Sequence, residues 1–273
     1  MKTIGLFAVD CLNYELINRA IKLSSKDFQF DQILLLSDKK IDESVPTKII
    51  PKINSLLDYS NFIVKNLHNY VETDYALIIQ WDGYIVNPQC WLDRFLNYDY
   101  IGAVWPLVGS EFNVGNGGFS LRSKYLLETV AQLSDSLIKE NEDVYICQTL
   151  RKALEEVHEI SFAPESVANL FSYERVNPQT YTFGFHGFFN MWRHTSAEDI
   201  DSILNLVDKN FLHRQEFIEL MTIYFSNGEY LLFKKMFNLI LSQIKLDNMF
   251  DLLKSHNIDP QLARHLIYSG KNI

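Results

Sequence analysis

The chain has few cysteines, a deficit of basic residues and no long apolar run, and each shortage excludes a class of protein. Its three cysteines, Cys11, Cys90 and Cys147, form no C-x-x-C pair, which excludes a zinc ribbon and argues against a disulfide framework. Lys and Arg number 25 against 34 Asp and Glu, whereas a nucleic-acid binder would need a basic face. Because no apolar run is long enough for a secretory signal or a membrane span, we expect a cytoplasmic protein.

The remaining composition is that of an ordinary globular chain with a high aromatic content. Its 273 residues suffice for one large domain, or for a domain of moderate size with an appendage. Aromatic residues make up 14%, which suits a dense core or a site that stacks on planar or sugar rings. With a formal charge of −9, a protein that handles phosphorylated substrates would need a local cation.

The first forty residues have the pattern of a parallel α/β unit. Short apolar runs at 4–9 and 32–36 predict buried strands, and apolar residues at helical spacing over 14–23 predict a helix between them. In such units the ligand site lies beyond the carboxyl ends of the strands. Asp10 and Ser37 occupy two of these ends.

A third buried strand, predicted at 76–79, leads directly into the sequence Gln80-Trp81-Asp82-Gly83. Asp82 is therefore an acid at the carboxyl end of a central strand. Two interpretations are open, since such an aspartate can bind a ligand or can cap a turn before Gly83. We favour ligand binding, because the sheet is open and other acids follow.

A glycine-rich loop and an acidic cluster come next in the sequence. Gly115, Gly117 and Gly118 allow positive φ angles and the close approach of another molecule. The acidic cluster at 140–143 follows about twenty residues later, after a predicted helix that can bring it back beside the glycines. The alternative explanation of these acids is that the dipole favours them in the first turn of a helix. We expect an active-site wall here.

His186 lies between glycines in an aromatic loop, and everything after about residue 195 is helical in character. A histidine in such a place is usually a core or capping residue, so it alone predicts no chemistry. The sequence at 196–199 is a capping box, and apolar stripes at helical spacing follow it. We interpret residues 196–273 as a helical appendage for packing, self-association or partner binding.

Taken together, these residues predict a more specific chemistry than each does alone. Asp82 and His186 offer oxygen and nitrogen ligands that suit Mn²⁺ or Mg²⁺, and such a cation would bridge a diphosphate. Glu142 or Asp143 could take the proton from an attacking hydroxyl group.

The order QWDG, GNGGFSLRS, ENEDVY and FGFHG resembles that of the GT-A nucleotide-sugar glycosyltransferases. It is most similar to a glycosyltransferase-like domain family of unknown function, whose members also share YDYIGAVWP. The segments that carry the resemblance are residues 80–83, 98–106, 115–123, 141–145 and 184–187. It covers about residues 1–193 and implies a GT-A-like, Rossmann-type mixed sheet flanked by helices. The domains would then be a nucleotide-sugar-binding domain at 1–195 and the helical appendage at 196–273.

The resemblance also implies roles for individual residues. Asp143 would be the catalytic base, and Glu142 would orient the acceptor. Asn116, Gly117 and Gly118 would line the donor sugar.

Further residues are implied to bind the nucleotide and its phosphates: Asp10, Lys65, Asp82 and Arg122. Asp82 matches the last acid of the metal-binding Asp-x-Asp motif, and His186 would be its partner on Mn²⁺ or Mg²⁺. The chain departs from the motif at Gln80, which stands where the first Asp would be.

The implied activity is that of a hexosyltransferase-type enzyme. It would move a sugar from a UDP-linked donor to a hydroxyl group, with inversion and without a covalent intermediate. The acceptor would be a glycan, a lipid-linked molecule or a protein, in surface-polysaccharide or glycoprotein assembly. Two alternatives stay open, an inactive nucleotide- or sugar-binding module and a nucleotidyltransferase. A homo-oligomer formed through the helical tail is also open.

Overall fold

Six strands form a mixed sheet in a computed structural model that describes residues 2–106 and 112–272. In chain order they are β1 (Ile4–Val9), β2 (Gln32–Ser37), β3 (Thr47–Ile49), β4 (Tyr75–Ile79), β5 (Tyr100–Ile101) and β6 (Phe119–Ser123). Across the sheet the order is β3-β2-β1-β4-β6-β5. The first four strands are parallel, whereas β6 is antiparallel to both β4 and β5. The predicted α/β mixed sheet is therefore confirmed.

The two central strands, β1 and β4, are apolar on both faces and buried along their whole length. This pattern is typical of parallel strands that are covered on both sides. They pair directly, with Phe7 opposite Ile78 and Ala8 opposite Ile79. As a result the chain leaves both strands at the same edge of the sheet, which brings the segments after Val9 and after Ile79 together.

Helices and a two-stranded ribbon complete this part of the chain. The helices are α1 (Tyr14–Lys26), α2 (Leu56–Lys65), α3 (Lys124–Leu133), α4 (Glu142–Val144), α5 (Arg151–His158) and α6 (Glu165–Phe171). The ribbon is a parallel pair, β7 (Ser172–Tyr173) and β8 (Gly184–Phe185). Ser55 and Ser123 cap α2 and α3, because each side chain accepts a hydrogen bond from an amide three residues later.

Two segments differ from what their sequence predicts. Residues 144–154 are predicted as a continuous helix, but a π-helical turn at Tyr145–Thr149 interrupts it, where the amide of Leu150 donates to the carbonyl of Tyr145 over 2.8 Å. Ile146 and Cys147 of this turn pack in the same apolar cluster as Leu154 of α5. The sequence at 160–164 predicts a further strand, and in the structure this segment makes an isolated bridge from Phe162 to Tyr100.

Contacts divide the chain into two compact units, Met1–His186 and Gly187–Ile273. The helices of the second unit are α7 (Ala197–Leu204), α8 (Gln215–Ser226), α9 (Tyr230–Leu241), α10 (Met249–Ser255) and α11 (Pro260–Asn272). Their buried apolar residues, which include Phe217, Met221 and Phe237, form the core of this unit. The predicted helical appendage is therefore present. Within residues 2–106 and 112–272, no helix combines the length and the apolar character needed to cross a bilayer.

Gly270 allows α11 to pack closely on α9, and this predicts an unusual response to mutation. A Cβ atom at Gly270 would lie 2.6 Å from the ring of Phe237. Replacing a helical glycine by alanine normally stabilises a protein by about 0.5–1 kcal/mol. Here we expect Gly270→Ala to lower the free energy of unfolding by about 1–3 kcal/mol because of overpacking. Urea denaturation measures this, with the exposed neighbour Lys271→Ala as a control, and a more stable Gly270→Ala variant would contradict the packing argument.

Candidate active site

Asp10 and Asp82 meet at the edge of the sheet where β1 and β4 end. The Asp10 carboxylate accepts hydrogen bonds from the amides of Leu12 and Asn13, each 2.7 Å long. Burial raises the pKa of Asp10 against these hydrogen bonds, and the nearby Asp82 carboxylate raises it further. The structure thus brings these two predicted residues together.

His186 is the residue on which the strand ends and the ribbon converge. It follows β8, and its amide donates to the carbonyl of Tyr173 in β7 over 2.9 Å. Its Nδ1 atom lies 3.0 Å from Oε1 of Glu174. Its Nε2 atom lies 3.2 Å from Oε1 of Gln80 and 3.5 Å from Oδ1 of Asp82. The predicted pair of Asp82 and His186 is therefore in contact, with Gln80 beside it.

The glycine loop approaches the protein's own side chains. A Cβ atom at Gly118 would lie 2.1 Å from Nε2 of His186, and one at Gly115 would lie 2.1 Å from the indole ring of Trp105. The positive φ angle in this loop belongs to Asn116, at 59°, and not to the three glycines. The glycines thus permit the close approach of other groups, and the positive φ is taken by an asparagine, which tolerates the left-handed region.

The same loop holds Asp143 at its other side. The amide of Gly117 donates to Oδ2 of Asp143 over 3.0 Å, and the amide of Val144 donates to Oδ1 over 2.8 Å. On the His186 side, Nδ2 of Asn116 lies 3.2 Å from Nδ1 of the ring, while Oδ1 of Asn116 is buried and has no hydrogen-bond partner among the residues that the structure describes. The 116–118 loop thus separates an acid from an imidazole.

Glu142 and Arg122 lie beneath this loop. Arg122 is fully buried and donates from Nη2 to Oε1 of Glu142 over 2.9 Å. A Cβ atom at Gly117 would lie 1.9 Å from the same carboxylate oxygen. Burial and the neighbouring Asp143 raise the pKa of Glu142, and the ion pair with Arg122 opposes them. Glu142 and Arg122 thus pack against Gly117 of the 116–118 loop.

For two residues, Lys65 and Glu174, the structure differs from what the sequence predicts. Lys65 is half-buried in the last turn of α2 and, in the part of the chain that the structure describes, takes no part in the contacts that join Asp82 and His186. Glu174 was not singled out, yet it contacts His186 directly. No local sequence pattern points to Glu174, because β7, which precedes it, is the two-residue strand Ser172–Tyr173.

The donors at this edge fit a divalent cation that a substrate would help to hold. Within the described ranges, no group of three or more His, Cys, Asp and Glu side chains is placed to bind a metal ion. The donors that converge are the Asp82 carboxylate, the Gln80 amide oxygen and Nε2 of His186. Cations that act on phosphorylated substrates are commonly held by one or two carboxylates together with the phosphates, and a donor set of this size is compatible with that arrangement.

The charges around His186 favour a protonated ring. Burial alone would lower the pKa of His186, but Asp82 and Glu174 outweigh it and raise that pKa well above its ordinary value. Burial alone would likewise raise the pKa of Glu174, whereas the hydrogen bond and charge of His186 lower it. The three side chains thus stabilise one another as two carboxylates around one imidazolium.

Comparisons with known proteins give a family and a set of distant structures. A family model described as "Protein of unknown function (DUF5672)" matches residues 43–186. No curated protein sequence matches the chain.

Several solved structures are similar to parts of the chain. A glycosyltransferase involved in glycosylation of the major capsid of PBCV-1 is similar at 12% identity and a TM-score of 0.46, over 75% of this chain and 100% of that one. Bifunctional IspDF from Campylobacter jejuni is similar at 11% identity and a TM-score of 0.39, over 54% of this chain and 47% of that one. Glucosyl-3-phosphoglycerate synthase from Mycobacterium tuberculosis, in complex with Mg²⁺ and uridine diphosphate, is similar at 11% identity and a TM-score of 0.31, over 46% and 57%. The chain thus spans about half the length of two of these proteins.

The buried pair of Arg122 and Glu142 predicts strongly non-additive effects. Arg122→Met leaves the Glu142 carboxylate buried without its partner, and we expect it to cost about 3–5 kcal/mol of stability. Arg122→Met combined with Glu142→Gln removes both charges and should cost less than the two single changes added together. Urea denaturation of the three variants measures this. Additive losses would show that the pair is not coupled.

The raised pKa of His186 predicts a definite pH dependence of stability. Because the folded protein holds this proton more tightly than the unfolded chain, the contribution is complete below the unfolded pKa of about 6.5 and is lost as the pH rises through the folded value. The stability difference between wild type and His186→Asn should therefore be larger at about pH 6 than at about pH 9.

His194 provides a control of opposite sign. Burial, together with Arg193, lowers its pKa to about 4. The wild type should therefore lose stability relative to His194→Asn as the pH falls below about 6.5. Urea denaturation across this range tests both residues, and a pH-independent difference at His186 would contradict its assignment.

Proposed function

The chain belongs to the DUF5672 family, whose model matches more than half of it, and we propose that it is a glycosyltransferase that uses a nucleotide-sugar donor. A UDP-linked sugar would be transferred to a hydroxyl group of a glycan, a lipid-linked molecule or a protein. The observation that carries the proposal is that one short loop, 116–118, holds Asp143 on one side and His186 on the other. An acid and a cationic group on either side of a shared wall are what a displacement at a sugar carbon requires.

The donor would lie along the edge formed by Asp10, Asp82 and His186. Asp10 directly follows β1 and would contact the nucleotide base. Before a cation binds, the protonated ring of His186 would attract the diphosphate. Mn²⁺ or Mg²⁺ held by Asp82 and His186 would take the place of the proton on Nε2 and supply positive charge to the departing diphosphate. Within the described residues the buried oxygen of Asn116 has no hydrogen-bond partner, and a hydroxyl group of the donor sugar would supply one.

The acceptor would bind beside Asp143, which acts as the general base. Its carboxylate takes the proton of the acceptor hydroxyl as that oxygen forms a bond to the anomeric carbon. The bond from this carbon to the diphosphate oxygen breaks at the same time, and the electron pair leaves with the diphosphate. Attack on the face opposite the leaving group inverts the configuration. The amide of Gly117 fixes the carboxylate, and Glu142 supports that amide from beneath.

We assign this chemistry to residues 1–195 and a binding role to the helices of 196–273. Those helices would contact an acceptor, a partner or a second copy of the chain. The setting that suits such an enzyme is the assembly of a surface polysaccharide or a glycoprotein from cytoplasmic donors.

A screen of nucleotide sugars for donor hydrolysis, with and without Mn²⁺, tests the function directly. Calorimetric titration with UDP should accompany it. Binding of UDP without hydrolysis or transfer of any donor would favour the inactive binding module. Release of pyrophosphate from a nucleoside triphosphate would favour a nucleotidyltransferase.

The role of Asp143 predicts a selective loss of turnover. Asp143→Asn keeps an oxygen that can accept from the Gly117 amide but can no longer take a proton. We expect transfer to fall by about 10²–10⁴-fold, with UDP affinity nearly unchanged. The exposed Asp135→Asn, in the segment before α4, is the matched control and should retain full activity. Normal turnover of Asp143→Asn would refute the assignment of the base.

A further inference from the structure

The position of Glu174 is determined by the pairing of β7 with β8. The parallel ribbon pairs Tyr173 of β7 with Phe185 of β8. The residues that follow, Glu174 and His186, therefore leave the ribbon side by side. Their side chains are 16% and 13% exposed, and Oε1 lies 3.0 Å from Nδ1. The contact follows from the strand register, so it is a fixed feature of this end of the fold.

A carboxylate at this distance determines what Nδ1 does. An ionised carboxylate can only accept hydrogen bonds, so Nδ1 must carry the proton that it donates. The ring cannot avoid the contact by sliding, because its other nitrogen already lies against Gly118. With Nδ1 committed to Glu174, Nε2 is the nitrogen that faces Asp82 and Gln80.

Asn116 provides a competing arrangement. Its Nδ2 atom lies 3.2 Å from the same ring nitrogen, and an amide N–H group can donate only to a nitrogen without a proton. Without the Glu174 carboxylate, Asn116 could therefore hold His186 with Nδ1 unprotonated. The proton would then move to Nε2, and that atom could no longer offer a lone pair to a cation.

We propose that Glu174 is a positioning residue, which holds the Nδ1–H group of His186 and so directs Nε2 towards Asp82 and towards the diphosphate or its cation. This inference rests on the proposed function for its ligand, but the contact that it describes is independent of that function. Carboxylates that orient a metal-binding histidine commonly raise metal affinity by about 10- to 100-fold. Glu174 would do so without touching the substrate.

Two variants separate positioning from simple structural support. Glu174→Met removes both the charge and the acceptor, whereas Glu174→Gln keeps the size and an acceptor oxygen. Glu156→Met, at an exposed position of α5, is the control. The protein is labelled with ¹⁵N-histidine, and the His186 signals are those missing in His186→Asn.

The Nδ1-bound proton of His186 is the first measurement. In the wild type we expect it to exchange slowly with water. Exchange should be about 10-fold or more faster in Glu174→Met, because a hydrogen bond to a charged group is lost, and intermediate in Glu174→Gln. Unchanged His186 signals in both variants, or a loss of thermal stability alone, would overturn the proposal. Failure of both variants to fold would also count against it, since positioning predicts folded proteins.

Mn²⁺ with saturating UDP is the second measurement, read as paramagnetic broadening of the His186 signals. Glu174→Met should need about 10-fold or more Mn²⁺ for the same broadening, and Glu156→Met should match the wild type. Equal Mn²⁺ affinity in Glu174→Met and wild type would overturn the proposed effect on the site. If the wild type neither binds UDP nor hydrolyses a donor while the exchange of the His186 proton still responds to Glu174, the proposed function fails and the positioning role stands.

Discussion

The arrangement of the site depends on one imidazole ring that is held on every side. His186 lies against the backbone of Gly118 and between the carboxylates of Asp82 and Glu174. These contacts come from four separate stretches of chain: the end of β4, the 116–118 loop, the end of β7 and the end of β8. Because the ring cannot move without disturbing all of them, it fixes the relative positions of segments that are far apart in the sequence.

The second half of the site is built on a buried ion pair. Arg122 comes from the interior of β6, and Glu142 begins α4, so their contact ties the sheet to the helix that carries Asp143. Such pairs are costly to bury and contribute little net stability when intact. Their effect here is one of placement, since Glu142 also packs under Gly117 and Gly117 binds Asp143. The positions of Asp143 and His186 are thus both set by contacts with the 116–118 loop.

Some of this could be predicted from the sequence, and the reasons for the misses are physical. The buried strands were predictable because parallel central strands are apolar on both faces, and Asp82 follows one of them directly. The glycine loop was recognised, but local composition does not reveal which atoms approach a glycine, and these proved to be the protein's own side chains.

Long-range pairing was the main limit. Glu174 follows a strand of only two residues, too short to give a periodic signal, and its importance comes from the register with β8. The π-helical turn after Asp143 could not be predicted either. The hydrogen bonds of α and π turns differ in span by one residue, and the spacing of apolar residues does not distinguish them.

The charge balance at the edge of the sheet bears on how a diphosphate could bind there. Asp10, Asp82 and Glu174 are acidic, His186 acts on Asp82 and Glu174, and Arg175 acts on Glu174. Counted over these described groups alone, three carboxylates face two cations, and the balance is negative. Two like charges about 4 Å apart repel each other by about 4 kcal/mol near a protein surface, so a bare diphosphate would be disfavoured. In the proposed function, a diphosphate that arrives with its own divalent cation would reverse this balance, and Asp82 and Nε2 of His186 would receive it.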